Sequence, residues 1–340
     1  MALSSVTTTA VLVLHLVQRQ TGTVGLLVGL GLALVPLPFV LGGLAWLNLT
    51  ARVPLRHTVF CLGWGACAAT TVAILANNWT ADYLTAHRGA FGGLLGAGIA
   101  TPVIEESAIE RPRPGGAPGG PSRVGAEVAV GGGADGRPPQ PDARAAAGRA
   151  AHAAQGRPRR RPGRLAGAGD RPHRRSRPRT LAAGVVLGGM TACGFAFTEN
   201  ALYLGRAFTT DQRNRLDSIG LGDPPSLRDF DSTVQTFVLR ALLSPFAHPL
   251  FTALTGIGLA VTLTTGRRWL ARLAAPVGLL TAMVLHGTWN AAADLGTDGF
   301  LVVYGVLMVP CFVALVCFAL WARSRAARHA WRRGRRSARG

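Results

Sequence analysis

Residues 236–263 read TFVLRALLSPFAHPLFTALTGIGLAVTL, and this stretch decides the fold class. Its only permanently charged side chain is that of Arg240. An α-helix needs about 20 predominantly apolar residues to cross the hydrocarbon core of a bilayer. The stretch is longer than that, so the sequence predicts a membrane-spanning helix here.

Further apolar stretches of similar length occur on both sides of this one. They are 24–47, 57–76, 89–108, 183–204, 273–293 and 299–321. Only 15% of the residues are charged, against about 25% in a typical soluble domain. We therefore predict an all-α fold, a polytopic transmembrane helix bundle with about seven spans. The apolar segment 9–17 is too short to cross, and we interpret it as a terminal segment.

The net charge of +20 is confined to two parts of the chain. Residues 111–180 contain 16 Arg against 4 acidic residues, and the tail 322–340 contains 8 Arg and no acidic residue. These two parts account for the whole excess, so the apolar body is neutral. Basic flanks of membrane spans usually set topology. We therefore predict the lipid bilayer as a partner and no nucleic acid.

Composition divides the chain into four segments. Residues 1–108 form a three-span segment that ends in paired glutamates, 109–182 a basic low-complexity segment, 183–321 a four-span segment, and 322–340 a basic cytoplasmic tail. The Arg/Pro/Gly-rich segment 109–182 has too few large apolar residues to form a core, so we predict a disordered insertion. For its origin we favour an out-of-frame stretch of a GC-rich gene, because GC-rich codons encode these residues, and a genuine insertion is the alternative.

Arginine is concentrated in alternate connections between the spans. Arg52 and Arg56, the 111–180 segment, Arg267 and Arg268, and the tail are basic, while the other connections are neutral to acidic. The positive-inside rule then predicts a multi-pass protein of the cell membrane. With seven spans, its N-terminus lies outside and its C-terminus in the cytoplasm.

Several polar side chains stand inside the predicted spans, where ionisable groups are costly and usually face a polar interior. They are Glu105, Glu106, Glu199, His248, His286 and Asn290. Neighbouring helical residues point about 100° apart, so we expect the two adjacent glutamates to have different roles. His286 and Asn290 are four residues apart and share one helix face. Because four spans contribute, the sequence predicts one internal polar site.

Four motif blocks carry a resemblance to a known family. TPVIEES (101–107), GFAFTEN (194–200), AHPLFTALTGIGLA (247–260) and LHGTWN (285–290) resemble, in order and context, those of PrsW family intramembrane metalloproteases. That family is related to the CAAX-protease and bacteriocin-immunity superfamily. Residues 109–182 do not match it. The resemblance implies hydrolysis of peptide bonds in a membrane-anchored protein or peptide substrate, such as a regulatory anti-sigma factor.

The resemblance also implies roles for the site residues. Glu105, Glu106 and Asn290 match catalytic positions, with one glutamate as general base and Asn290 stabilising the oxyanion. Glu199, His248 and His286 would hold a divalent metal, with zinc as the expected ion. A metal-free mechanism stays open, in which a glutamate and a histidine activate the water and His286 with Asn290 forms the oxyanion site.

This chain departs from the family after the paired glutamates. Ile109 stands where the family usually has Lys, and the basic segment follows. The predicted spans place the glutamate pair at the cytoplasmic edge, and Glu199 and His286 nearer the outer face. At about 1.5 Å per residue the mismatch is about half a bilayer, which predicts that the site does not assemble. Two alternatives are therefore a catalytically inactive member of the family and a small transporter with an ion relay.

Overall fold

A computed structural model of the chain describes residues 2–88, 90–110, 177–221, 226–293 and 296–337. Most of the predicted insertion lies outside the described residues, so its disorder and its frameshift origin stay predictions. The described residues are almost entirely helical and contain no β-strand. This confirms the predicted all-α class.

The described part of the chain forms eight helical segments. They are α1 (Ala2–Ala33), α2 (Leu37–Ala51), α3 (Leu55–Arg88), α4 (90–110), α5 (Arg177–Gly220), α6 (Asp231–Thr264), α7 (Arg268–Ala293) and α8 (296–337). A short 3₁₀ turn, Leu227–Phe230, precedes α6. Wider π-helical turns lie within α3, α4, α6 and α8, at Trp64–Ala69, Gly96–Ala100, Val238–Leu243 and Tyr304–Met308.

Six helices of the described part are long and apolar enough to cross a membrane, against the seven predicted. They are Val6–Ala33, Leu55–Arg88, Thr180–Gly220, Asp231–Thr264, Arg268–Ala293 and Asp298–Arg325. Five of the predicted spans lie inside these helices. The predicted span 89–108 forms α4, which is helical but is not one of the six. The chain is thus a multi-pass membrane protein.

The N-terminal boundaries were predicted wrongly. Segment 9–17 lies inside α1, and the predicted span 24–47 is interrupted between α1 and α2. Pro36 is the N-cap of α2, and the start of a helix tolerates a proline because no N–H is needed there. A second break lies at Gly22, whose φ of 70° is in the left-handed region that favours glycine.

The chain reverses its direction at Gly22. Before this residue α1 runs parallel with α3. After it, α1 runs antiparallel to α5. Because α3 and α5 are parallel with each other, the two halves of α1 run in opposite directions. The contact pairs are Val6–Gly63 and Thr9–Thr71 for α1 with α3, Gly25–Gly205 and Gly29–Ala201 for α1 with α5, and Leu62–Gly194 and Ala66–Thr198 for α3 with α5. The first half of α1 is therefore an additional antiparallel segment.

This reversal places both chain ends at the same end of the helical unit. The later helices alternate in direction, as shown by the pairs Asn77–Glu105, Asp211–Thr233, Gly258–Ala274 and Trp289–Phe300. At the end that carries the basic connections, Arg323 of α8 stacks on Trp46 of α2, 4.2 Å from the ring centre. The prediction that the two termini lie on opposite sides is therefore wrong, because segment 9–17 was not included among the crossing segments.

Glycines let α5 approach its neighbours closely. A Cβ on Gly194 would collide with the carbonyl oxygen of Leu62 in α3, and one on Gly184 would collide with that of Gly256 in α6. Small residues at such contacts are typical of membrane helix pairs, where close packing supplies much of the association energy. The centre of α5, with Glu199, is thereby held tightly between α3 and α6.

Candidate active site

The six predicted site residues come from four helices. Glu105 and Glu106 lie in α4, Glu199 in α5, His248 in α6, and His286 with Asn290 in α7. The carboxylates and imidazoles are all buried, with exposed fractions of 8% or less, while Asn290 is half-buried. Burial of this many ionisable groups is costly unless they are paired or bind an ion.

Glu105 faces both histidines. Its Oε2 lies 3.4 Å from Nε2 of His286 and 3.9 Å from Nε2 of His248. Its Oε1 accepts a hydrogen bond of 2.8 Å from Nδ2 of Asn77. Within the described part of the chain, Oε2 of Glu105 and Nε2 of His248 have no hydrogen-bond partner. These two atoms have ion-pair neighbours only, so they can bind an additional group.

Glu106 points to a different partner, as the angle between neighbouring helical residues predicts. Its Oε1 lies 3.0 Å from Nδ1 of His286, and its Oε2 accepts a hydrogen bond of 3.4 Å from Thr252. With Nδ1 engaged by Glu106, Nε2 of His286 is directed towards Glu105. Such a carboxylate on the far nitrogen fixes the tautomer and the orientation of a metal-binding imidazole.

Glu199 lies between His248 and an arginine. Its Oε2 is 3.2 Å from Nε2 of His248 and accepts a hydrogen bond of 2.9 Å from Nη2 of Arg240. Arg240 also donates from Nε to Oδ1 of Asn200 at 3.1 Å, and its guanidinium lies 3.8 Å from the ring centre of Tyr203. These contacts fix the direction of the Glu199 carboxylate.

The break in α6 positions both Arg240 and His248. Arg240 lies in the π-helical turn Val238–Leu243, and His248 lies in the first turn of the helix that resumes at Ala247. Pro245 lies in the interruption and Pro249 in the first turn after it, where a proline without a backbone N–H is tolerated. Both side chains can therefore turn towards α5.

Aromatic rings enclose the two imidazoles. The ring of Phe251 stacks on that of His286 at 5.0 Å, and Phe195 lies 5.4 Å from His248. The two imidazoles lie 5.0 Å apart and are nearly perpendicular. The rings limit their rotation, so the site is held in a defined geometry.

The predicted depth mismatch between the glutamate pair and its partners is wrong. The sequence placed the end of the span with Glu199 near residue 204, but α5 continues to Gly220. At about 1.5 Å per residue, the helix extends about 24 Å further than expected, and Glu199 lies near its middle. The helix with the glutamate pair also continues to Glu110, with Ile109 only 1% exposed beside Phe195.

Asn290 lies one helical turn from His286, on the wall of a larger cavity. Its Nδ2 donates a hydrogen bond of 3.2 Å to the carbonyl of Ala97, in the π-helical turn of α4. The cavity has a volume of about 470 Å³, and Arg240, Tyr203 and Trp289 also line it. It is large enough to accept a segment of peptide, and Arg240 on its wall donates to the buried carboxylate of Glu199.

Sequence reasoning missed several functional neighbours. Asn77 lies one residue beyond the predicted end of its span, so it was not considered. Arg240 was noted only as the one permanently charged residue of its span, although an arginine inside an apolar helix predicts an acidic partner. Tyr203 and Thr252 carried no signal, because a lone tyrosine or threonine in a membrane helix is common.

Three of the buried residues can hold a metal ion. Glu105, His248 and His286 each offer one ligand atom, and these atoms all lie within 4.8 Å of one another. The unpartnered atoms of Glu105 and His248 belong to this group, so its chemistry fits a divalent cation with one carboxylate and two imidazole ligands.

Comparison with known proteins finds one similarity, which lies in the C-terminal half of the chain. No curated protein and no solved structure matches it. Residues 172–316 match the model of the PrsW family intramembrane metalloprotease, beginning slightly before the boundary near residue 182 that the motifs indicated. The matched part contains Glu199, His248, His286 and Asn290, and the glutamate pair joins it through the contacts above. Over residues 172–316 the chain therefore resembles PrsW family intramembrane metalloproteases, as its motifs predicted.

Proposed function

We propose that this protein hydrolyses peptide bonds of a membrane-anchored protein substrate, such as a regulatory anti-sigma factor, within the cell membrane. The observation that supports this most strongly is the buried group of Glu105, His248 and His286, whose ligand atoms converge within 4.8 Å. An assembled group of this kind favours an active enzyme over a degenerate relative or a transporter.

Glu105, His248 and His286 would hold the divalent ion, and zinc suits this donor set. When bound, such an ion lowers the pKa of a coordinated water to about 7 and polarises the scissile carbonyl. The sequence assigned Glu199 rather than Glu105 as the third ligand, and that assignment stays a prediction. The geometry favours Glu105, because Glu199 already accepts a hydrogen bond from Arg240.

The remaining carboxylates have separate tasks. Glu106 holds His286 through Nδ1 and keeps Nε2 directed at the site. Glu199, oriented by Arg240, accepts a proton from the attacking water as its oxygen bonds to the carbonyl carbon. The same proton then passes to the leaving nitrogen as the carbon–nitrogen bond breaks. The products are a carboxylate and an amine.

Asn290 is placed to act on the carbonyl oxygen. It shares a helix face with His286 and lines the cavity of about 470 Å³ that we assign to the substrate. An amide N–H directed at the developing oxyanion stabilises the transition state more than the ground state. Arg240 and Trp289 on the same cavity wall would contact the substrate backbone and side chains.

Cleavage of a single-span reporter peptide by the full chain in detergent tests the proposal. Glu105→Gln keeps the size of the side chain but removes its charge, and we expect cleavage and bound metal to be lost together. Asp82→Asn, an equal change at an exposed position of α3, is the matched control and should cleave like the parent. If Glu105→Gln cleaves the reporter at the rate of the parent chain, the assigned centre is excluded.

A further inference from the structure

A second, smaller cavity of about 70 Å³ lies between α3 and α5, beside the site. The buried carboxylates of Glu105 and Glu199 form one part of its lining, and Asn77, Asn78 and Arg206 form another. Glu105 and Glu199 are 3% and 8% exposed, whereas Asn78 and Arg206 are exposed. The cavity thus leads from the site to the surface of the protein.

The outer part of this cavity lies near the expected interface between membrane and water. Trp79 is the residue after Asn78 and is 69% exposed, and Tyr83 follows on the next turn at 52% exposed. Exposed tryptophan and tyrosine rings are enriched at the level of the lipid headgroups. Arg206 pairs there with Gln20 at the reversal of α1. Water therefore has access to the outer part of the cavity.

The inner part of the cavity has unmet hydrogen-bonding capacity. Within the described part of the chain, Oδ1 of Asn77 has no hydrogen-bond partner. A buried acceptor without a partner is costly, and ordered water commonly supplies the missing bond. The volume suits about two water molecules at about 30 Å³ each.

This cavity is separate from the larger one that we assign to the substrate. Tyr203 lines both, so this residue lies at the boundary between them. The larger cavity holds Arg240 and Asn290, whereas the smaller one holds the asparagine pair and is too small for a peptide. The geometry therefore provides different routes for the two reactants of a hydrolysis.

We propose that the 70 Å³ cavity is the entry path of the hydrolytic water, and that Asn77 is a positioning residue within it. Nδ2 of Asn77 donates a hydrogen bond of 2.8 Å to Glu105. Oδ1 of Asn77 is thus left to accept a hydrogen bond from an entering water. This inference rests on the proposed function for its kinetic consequence. The hydration of the cavity, however, is measurable without any cleavage.

Cysteine labelling of the full chain in vesicles tests the path directly. A small, charged thiosulfonate reacts with a thiolate in contact with water, so we expect Asn78→Cys and Asn77→Cys to be labelled above the level of the parent chain. Val72→Cys on the same helix, 53% exposed on a stretch that we expect to face lipid, is the control and should stay unlabelled. If Asn77→Cys is as unreactive as Val72→Cys, the path is closed and the proposal fails.

Filling the cavity tests its role in the reaction. Ala73 is 3% exposed and lines the cavity, so Ala73→Leu blocks it without removing a hydrogen bond. We expect kcat to fall at least about tenfold, with KM changed by less than about twofold, and bound metal retained. Val72→Leu should behave like the parent. If Ala73→Leu has the kcat of the parent, the proposal is overturned. If Asn77→Cys is labelled but the parent chain cleaves no reporter, only the proposed function fails.

Discussion

At the scale of residues, the paired glutamates show how two adjacent carboxylates acquire different tasks. Glu105 faces both imidazoles and an asparagine, while Glu106 contacts the far nitrogen of His286. The difference follows from the helical angle between neighbours. In the proposed function, one glutamate is therefore a metal ligand and the other orients a ligand.

This division predicts the effect of Glu106→Gln. A glutamine can still contact His286, but it no longer provides the negative charge that fixes the tautomer. Loss of such a partner typically reduces metal affinity or activity by about 10- to 100-fold. Titration of the metal-free variant with zinc, followed by a cleavage assay, measures both. An affinity equal to that of the parent would show that Glu106 does not act through His286.

The six candidate site residues were found in the sequence because polar side chains stand out in apolar helices, and their roles stay predictions. All six lie around one region of the structure, in the helices expected. Asn77 and Arg240 were missed as partners, because the sequence does not show which helix faces which. The contact of Glu106 with Thr252 likewise depends on the register between α4 and α6, which no local pattern encodes.

At the scale of elements, helix length determines whether the site assembles. The sequence predicted α5 to end near residue 204, because apolar residues become sparse there, but the helix continues to Gly220. A helix can extend beyond the hydrocarbon core into water, where polar residues no longer interrupt it. Hydropathy therefore shows where a helix lies in lipid but not where it ends, and this produced the wrong depth for Glu199.

The close contact of α5 with α3 predicts that Gly194 does not tolerate a larger residue. Gly194→Ala places a methyl group against the carbonyl oxygen of Leu62 and forces the helices apart. Overpacking of this kind costs about 1–3 kcal/mol, which thermal unfolding in detergent measures. Gly31→Ala is the control, since its Cβ meets open space. Equal stability of the two variants would contradict the close packing.

At the scale of the whole molecule, the reversal at Gly22 changes the expected topology. The sequence left segment 9–17 out of the crossing segments and so placed the N-terminus outside. The contact pairs between the helices show that both termini lie at the end that carries Arg52, Arg267 and the basic tail. Because basic connections favour the cytoplasm, we predict that both termini are cytoplasmic.

Labelling of a cysteine added at either terminus tests this topology. In intact cells a membrane-impermeant maleimide should label neither terminus, and after permeabilisation it should label both. Asn78→Cys is the control, because its position near the opposite end predicts labelling in intact cells. Labelling of the N-terminus alone in intact cells would restore the seven-span arrangement.

The central claim is that four helices assemble one metal-dependent hydrolytic centre, and metal removal tests it most directly. The full chain is purified, stripped of metal with a chelator and reloaded with zinc. Bound metal and reporter cleavage are then measured together for three proteins. They are the parent, His286→Ala and the exposed control His87→Ala. We predict that the parent and His87→Ala bind one ion per chain, lose cleavage on stripping and regain it with zinc. We predict that His286→Ala binds no ion and does not cleave the reporter, with or without zinc. Full cleavage by the stripped parent would contradict the account.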